Sequence, residues 1–265
     1  MTSLQKKSKL KTLVISTALC GVIGYAISYG IHPKWKIEAE ITRPTLSELG
    51  NYYGLFSMYH LMQGENKADD QIPTFVFQHF TEQLVSYDNV KDFWQHSDYY
   101  KQNSSAQNNN EKQDSLLADL IEGTQFRPMT AKSGKISLTL DDPTQLESLL
   151  TAFVEHTNNA TQKQIYDELI LQWKNLFTQV KTAAQLNLGN IYYGNTMGNQ
   201  DWQGKLNMMK SVSPLDEKLT AFHFTKQPQH PAPQARLSWG GMGAGIGFLL
   251  GLVSFLFRRN EKNKP

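Results

Sequence analysis

Residues 143–188 read PTQLESLLTAFVEHTNNATQKQIYDELILQWKNLFTQVKTAAQLNL, and they decide how the chain is understood. No glycine interrupts them, and the one proline stands first. Leu146, Leu149, Leu150, Phe153, Ala160, Ile165, Leu169, Trp173, Leu176, Phe177, Val180, Ala183 and Ala184 recur at spacings of three and four, the period of a helix with one apolar face. The pattern predicts a single helix over about 143–188, with Asp142 as its cap and Pro143 in its first turn. At about 1.5 Å per residue it would reach roughly 65 Å. Ordinary globular helices are far shorter, so this one is expected to project from its domain or to pack along neighbouring copies.

Outward from that helix, the flanking segments read as a mixed α and β domain. Before it, Trp35, Ile37, Ala39 and Ile41 alternate with Lys36, Glu38, Glu40 and Thr42, a strand that Pro44 ends. Thr45 or Ser47 can cap a helix through LGNYYGLFSMYHLM. After the polar stretch 64–71, Pro73 opens a helix carrying Phe75, Val76, Phe80, Leu84 and Val85, and a short element surrounds Val90–Trp94. The polar run QNSSAQNNNEKQD at 102–114 reads as a loop. Leu116–Ile121 is expected to be a short helix, and Gln125–Arg127 and Ile136–Leu140 strands. Beyond the long helix, GNIYYGNTMGNQDWQG turns the chain back, a short helix covers Trp202–Lys210, and Leu219–Phe224 reads as a returning strand. Pro228, Pro231 and Pro233 make a stiff, extended connector.

Two apolar stretches bracket this domain. Residues 12–31, TLVISTALCGVIGYAISYGI, and 237–257, LSWGGMGAGIGFLLGLVSFLF, carry no charge, and each is long enough to cross a hydrocarbon core as a helix. Lys6, Lys7, Lys9 and Lys11 precede the first; Arg258, Arg259, Lys262 and Lys264 follow the second. Positive flanks stay in the cytoplasm. The expected layout is therefore a cytoplasmic tail at 1–11, a span at 12–31, an exported domain at 32–236, a second span at 237–257 and a cytoplasmic tail at 258–265. Removal of the first stretch as a signal peptide near Ala26-Ile27-Ser28 is the alternative, and the length of the apolar run argues against it. In the second stretch Gly243, Gly247 and Gly251 repeat every four residues, with Gly241 and Gly245 as a parallel pair. They would let another helix approach closely, and Gly21 and Gly24 of the first stretch, with Thr17 and Ser28, offer a facing surface.

The fold class expected is thus an α+β membrane protein, with two transmembrane helices flanking an exported α/β base domain and a long protruding helix. Three blocks give it a family likeness: KWKIEAEITRPTLSELGNYYG at 34–54, SYDNVKDFWQHSDYYKQ at 86–102, and PLDEKLTAFHFTKQPQHP at 214–231. Together with the two-span layout they resemble the Wzz-type polysaccharide co-polymerases, the chain-length determinants of Gram-negative bacteria. The first two blocks are most similar to the branch acting on enterobacterial common antigen. The resemblance implies an inner-membrane protein with a periplasmic domain and a homo-oligomeric ring. It also implies partnership with a Wzy-type polymerase and the growing lipid-linked polysaccharide, control of modal chain length, and no catalysis. Two features depart from the pattern. The second long helix of the family hairpin is replaced by a short return, and Gln234–Ala235–Arg236–Leu237–Ser238 stands where a Ser-Pro-basic ending is usual.

Composition and motif searches leave little for other chemistry. The net charge of +2 supplies no basic field for nucleic acid, and a single cysteine, Cys20, excludes an internal disulfide and cysteine-based zinc clusters. No phosphate-binding G-x-x-x-x-G-K-[ST], no H-E-x-x-H and no G-x-S-x-G occurs. The seven histidines, His79, His96, His223 and His230 among them, are scattered. Asp69-Asp70, Asp141-Asp142 and Asp216-Glu217 are the acid pairs a glycosidase reading would use, although any chain this acidic offers such pairs. No catalytic residue, metal or cofactor is expected. Tyr52, Tyr53, Phe93, Trp94, Tyr99 and Tyr100 read as core aromatics rather than sugar platforms, and Tyr192, Tyr193 and Trp202 as contacts between copies at the tip of the long helix. The competing reading is a periplasmic sensor or adaptor subunit, which tails of this size can serve only through a partner's spans.

Overall fold

The computed structural model describes residues 17–23, 34–65, 70–106, 109–186, 188, 190–193, 196–199, 201–233, 244–246 and 248–249. The chain divides into two compact units. One comprises residues 1–36, 140–143 and 231–265; the other comprises 37–139 and 144–230.

Four strands of a five-stranded sheet follow the order β2-β3-β1-β6, and the fifth pairs with the start of β1. The sheet's centre is β1 (Trp35–Thr42), where Ile37, Ala39 and Ile41 are buried at alternate positions, as the period of two predicts. The chain's next two strands, β2 (Thr124–Thr130) and β3 (Ser133–Leu140), form an antiparallel hairpin, with Phe126 opposite Ile136. At the other edge β6 (His223–Lys226) pairs antiparallel with β1, Thr42 opposite His223. Lys135 reaches Glu38 at 3.1 Å and Glu40 at 3.5 Å, and its hydrogen bond to Glu38 holds its ammonium above the usual lysine range.

Among the described residues, seven α-helices accompany this sheet in the larger unit. They are α1 (Asn51–Met62), α2 (Gln71–Val85), α3 (Tyr87–His96), α4 (Asp98–Ser105), α5 (Asn110–Gly123), α6 (Leu146–Gln185) and α7 (Trp202–Lys210). Their short, broken succession follows from caps. The Ser86 side chain accepts from Asn89 N at 3.5 Å to open α3, and Ser97 accepts from Tyr100 N at 3.2 Å to open α4. A 3₁₀ turn at Leu46–Leu49 precedes α1, and Gly50 separates the two at φ +54°, a left-handed φ that favours glycine. Trp94, Phe80 and Phe153 lie fully buried; Phe80 stacks on Phe222 at 5.0 Å and Phe93 meets Phe153 edge-on at 5.3 Å.

Several expectations are corrected. The polar run 102–114 is not a loop: α4 and α5 occupy most of it, tied by Gln113 Nε2 donating to Ser104 O at 3.1 Å. Polar composition marked exposure rather than irregularity. Leu117 and Leu120 anchor α5 on the core while its remaining faces stay wet. The long helix begins at Leu146, so Asp142 and Pro143 lie in the preceding turn and not in its cap and first turn. Leu219–Phe222 joins no ladder, and the returning strand starts at His223. An unforeseen hairpin, β4 (Asn190–Tyr193) with β5 (Thr196–Asn199), fills the turn-back segment.

In the smaller unit residues 17–23 are helical. Here β7 (Ala232–Pro233) pairs antiparallel with the first residues of β1, Trp35 opposite Pro233 and Lys36 opposite Ala232. The segments leading to the two apolar stretches therefore run side by side. Part of the expected proline-rich connector is a ladder.

Candidate functional site

The candidate surface is built on α6, whose 40 residues extend about 60 Å. Its first half is core. Leu150, Phe153, Val154, Thr157, Thr161, Ile165 and Leu169 are all buried along one face. The two threonines are satisfied: Asn89 Nδ2 donates to Thr157 Oγ1 at 3.0 Å, and Thr161 Oγ1 donates to Thr157 O at 2.8 Å. Farther along, the Tyr166 ring stacks on Tyr52 with centroids 5.9 Å apart, and its hydroxyl donates to Asp216 O at 2.6 Å. Burial holds both phenols above the usual tyrosine range, so they stay protonated donors at neutral pH.

The second half of α6 is covered on one side only. Val180 and Ala184 join Met62 of α1 and Leu206 and Met209 of α7 in a separate apolar cluster, against which Met58, Trp173, Leu176, Phe177 and Trp202 pack. Away from that cluster the helix shows large aliphatic side chains to solvent: Ile170 is 44% and Leu171 61% exposed. Leu61 on α1 is exposed as well, and so are Leu186 and Leu188 beyond the end of α6 and Met208 on α7. Exposed aliphatics on distal α6, on α1 and on α7 are side chains of the kind found at contact surfaces.

Several of the candidate acids and histidines have partners within the chain. Asp216 Oδ1 accepts from Asn51 N at 3.3 Å and Lys218 N at 3.4 Å, and Asp70 pairs with Arg43 at 3.6 Å and Lys132 at 3.4 Å. Asp141 and Asp142 lie in the turn before α6, and Glu217 is exposed; Asp69 lies outside the described residues. His79 contacts Glu82 at 3.5 Å, His96 contacts Asp92 at 3.2 Å, and His223 contacts Glu48 at 2.7 Å; His230 stands at φ +48° in the connector. Burial tends to raise Glu48, but hydrogen bonds from Thr45 and His223 outweigh it and hold the carboxyl below its ordinary range. Among the described residues no group of three or more His, Cys, Asp or Glu is placed to hold a metal ion.

Of the aromatics, Tyr52, Phe93 and Trp94 are core and Tyr53, Tyr99 and Tyr100 are half-buried, which fits the reading as domain interior. Trp202 is half-buried and packs on its own chain's distal cluster. The side chains of Tyr192 and Tyr193 lie outside the described residues. Of the proposed membrane-packing residues, Gly21 lies in the helical stretch 17–23, and a Cβ at Gly245 would meet nothing described within 4 Å. Gly24, Gly241, Gly243, Gly247 and Gly251 lie outside the described residues, and no helix of the described residues is long and apolar enough to cross a membrane. In the connector, Pro228 is buried, Pro231 half-buried and Pro233 paired with Trp35.

Sequence reasoning missed Asn158. It lies on the buried stripe between Val154 and Thr161, and its carboxamide grips the backbone of the return segment at Leu219 and Ala221. A polar residue at a stripe position was the available signal.

No protein-family model matches the chain. Two curated relatives are each named "ECA polysaccharide chain length modulation protein". The one from Salmonella typhimurium is 27% identical over 174 residues, 63% of this chain and 49% of the relative. That from Escherichia coli K12 is 27% identical over 171 residues, with 62% and 49% covered. The chain thus spans about half the length of the curated relatives it matches. Among solved structures, a WzzB polysaccharide co-polymerase fragment from Salmonella Typhimurium aligns with a TM-score of 0.54 at 9% identity, over 76% of this chain and 99% of that one. The domain fold is that of Wzz periplasmic domains, and the likeness read from the three sequence blocks matches the names of the curated relatives.

Proposed function

We propose that this chain is a non-enzymatic, oligomeric scaffold of the inner membrane. It sets the modal length of a lipid-linked surface polysaccharide, enterobacterial common antigen or O-antigen, made by a Wzy-type polymerase. The observation that carries the reading is α6, a 40-residue helix whose first half is locked into a base domain and whose second half presents Ile170 and Leu171 to solvent. The relatives' names supply the process, chain-length modulation. In this reading the exposed faces of α6, α1 and α7 meet neighbouring copies, and the assembled stalks confine the growing polymer.

The layout proposed with it is two-pass, with both termini cytoplasmic and the central domain periplasmic. The ladder between Trp35 and Pro233 supports this, because it brings the approaches to both apolar stretches together in antiparallel fashion. The glycines at 241, 243, 245, 247 and 251 would pack against the first span through Gly21 and Gly24. Deletion of the gene tests the function. The polysaccharide is expected to persist with its length distribution broadened and its modal cluster lost. Complete loss of polymer would point to synthesis or transport instead, and an unchanged ladder would remove the reading.

A further inference from the structure

Between Lys210, which ends α7, and His223, which starts β6, the chain forms neither helix nor strand. Yet Leu219, Ala221 and Phe222 are buried there. A buried irregular segment must find partners for its backbone groups. This one finds several outside itself. Asn158 Oδ1 accepts from Ala221 N at 2.7 Å while its Nδ2 donates to Leu219 O at 3.3 Å. Thr220 N donates to Glu48 O at 2.7 Å on the opposite side. One turn or two farther along α6, the Tyr166 hydroxyl closes on Asp216 O.

The Asn158 carboxamide therefore serves as a single-residue strand neighbour. It presents an acceptor and a donor to alternate residues, as a β partner would. We infer that Asn158 is a latch, a positioning residue that fixes the register of the return segment 211–222 against α6. Releasing it loosens residues 219–222 most and α7 less, while the base core stays closed. α7 is joined to the base by this segment and to distal α6 by the apolar cluster. Because 211–222 has no ladder of its own, loss of both Asn158 bonds leaves residues 219–222 held by the Thr220 bond and the packing of Leu219, Ala221 and Phe222, while 214–216 stays tied to Asn51 and Tyr166. The latch does not depend on the proposed function, and it is tested without polysaccharide.

Hydrogen exchange by mass spectrometry on the full chain in detergent tests it. Asn158→Ala is expected to speed exchange of the 219–222 amides roughly tenfold or more, and of α7 to a lesser degree, with α6 residues 147–154 within about threefold of wild type. Asn158→Asp keeps the acceptor and is expected to retain most of the protection at Ala221. Tyr166→Phe removes one hydroxyl, is expected to fold if Asn158→Ala does not, and should loosen 214–218 alone. Val154→Ala, one turn earlier and without bonds to the segment, should show no selective rise at 219–222. Unchanged exchange at 219–222 in Asn158→Ala, or a uniform rise across the domain in either latch variant, would overturn the inference.

Discussion

The two halves of α6 obey different rules. From Leu146 to Leu169 the helix is a core element, with Thr157, Thr161, Asn158 and Tyr166 each bonded to a specific partner. From Ile170 to Gln185 it leans on one small cluster and leaves aliphatic side chains in water. The same period of three and four runs through both. Periodicity reports that a helix has an apolar stripe; it does not report how much of the chain is available to cover that stripe, or whether a second copy must. The difference separates the part of the helix that is locked into the core from the part where the proposed assembly would form.

The largest effect should separate the halves directly. Phe153→Ala, at a position 1% exposed, is expected to cost about 3–5 kcal/mol, enough to threaten the fold. Leu206→Ala, in the distal cluster, is expected to cost about 2 kcal/mol, because the thin layer around it can relax. Equal losses in chemical denaturation would erase the distinction between a locked base and a lightly covered stalk.

Two glycines at α1 come next and should have opposite signs. A Cβ at Gly50 would fall 2.5 Å from Asp216 Oδ1 in a backbone at φ +54°, so Gly50→Ala is expected to destabilise by about 1–2 kcal/mol. A Cβ at Gly54, mid-helix, would meet nothing within 4 Å, so Gly54→Ala is expected to stabilise by up to about 1 kcal/mol. Thermal melts of the two variants check both.

The base alone should carry a modest acid dependence. Burial holds His156 below its ordinary value despite Asp92 nearby, so the unfolded chain binds its proton more readily. Stability from this group is complete above the unfolded histidine value and falls as pH drops through it toward the folded one. Glu48, held low, adds stability above the unfolded carboxylate value that is lost as pH falls further. His156→Gln should flatten the first loss in pH-dependent denaturation and leave the second.

Much of this architecture was legible in the sequence, for reasons that can be stated residue by residue. The long helix was visible because its stripe is unbroken by glycine, and β1 because Ile37, Ala39 and Ile41 alternate with charged or polar neighbours. What stayed hidden depended on contacts distant in sequence. Leu219–Phe222 looks like a strand by residue type, but it is held by Asn158 and Glu48, which lie 61 and 172 positions away from the backbone groups they meet. The helices α4 and α5 were masked by polar composition, which describes their wet faces and not the two leucines that anchor α5. The outer face of distal α6 was hidden as well, because Ile170 and Leu171 lie off the stripe that the spacing of three and four picks out.

The smallest effect on stability falls on that face, and it carries the sharpest consequence. Leu171→Asp replaces a side chain that is 61% exposed and should change unfolding free energy by less than about 0.5 kcal/mol. In an assembly built on distal α6, the same charge would be buried between copies without a partner. The measurement is the mass distribution of the full chain extracted in detergent, wild type beside Leu171→Asp. The account predicts a discrete particle of many copies for the wild type and its dissociation in the variant at unchanged stability. A wild-type chain that runs as a monomer, or a variant that assembles as well as the wild type, would contradict it.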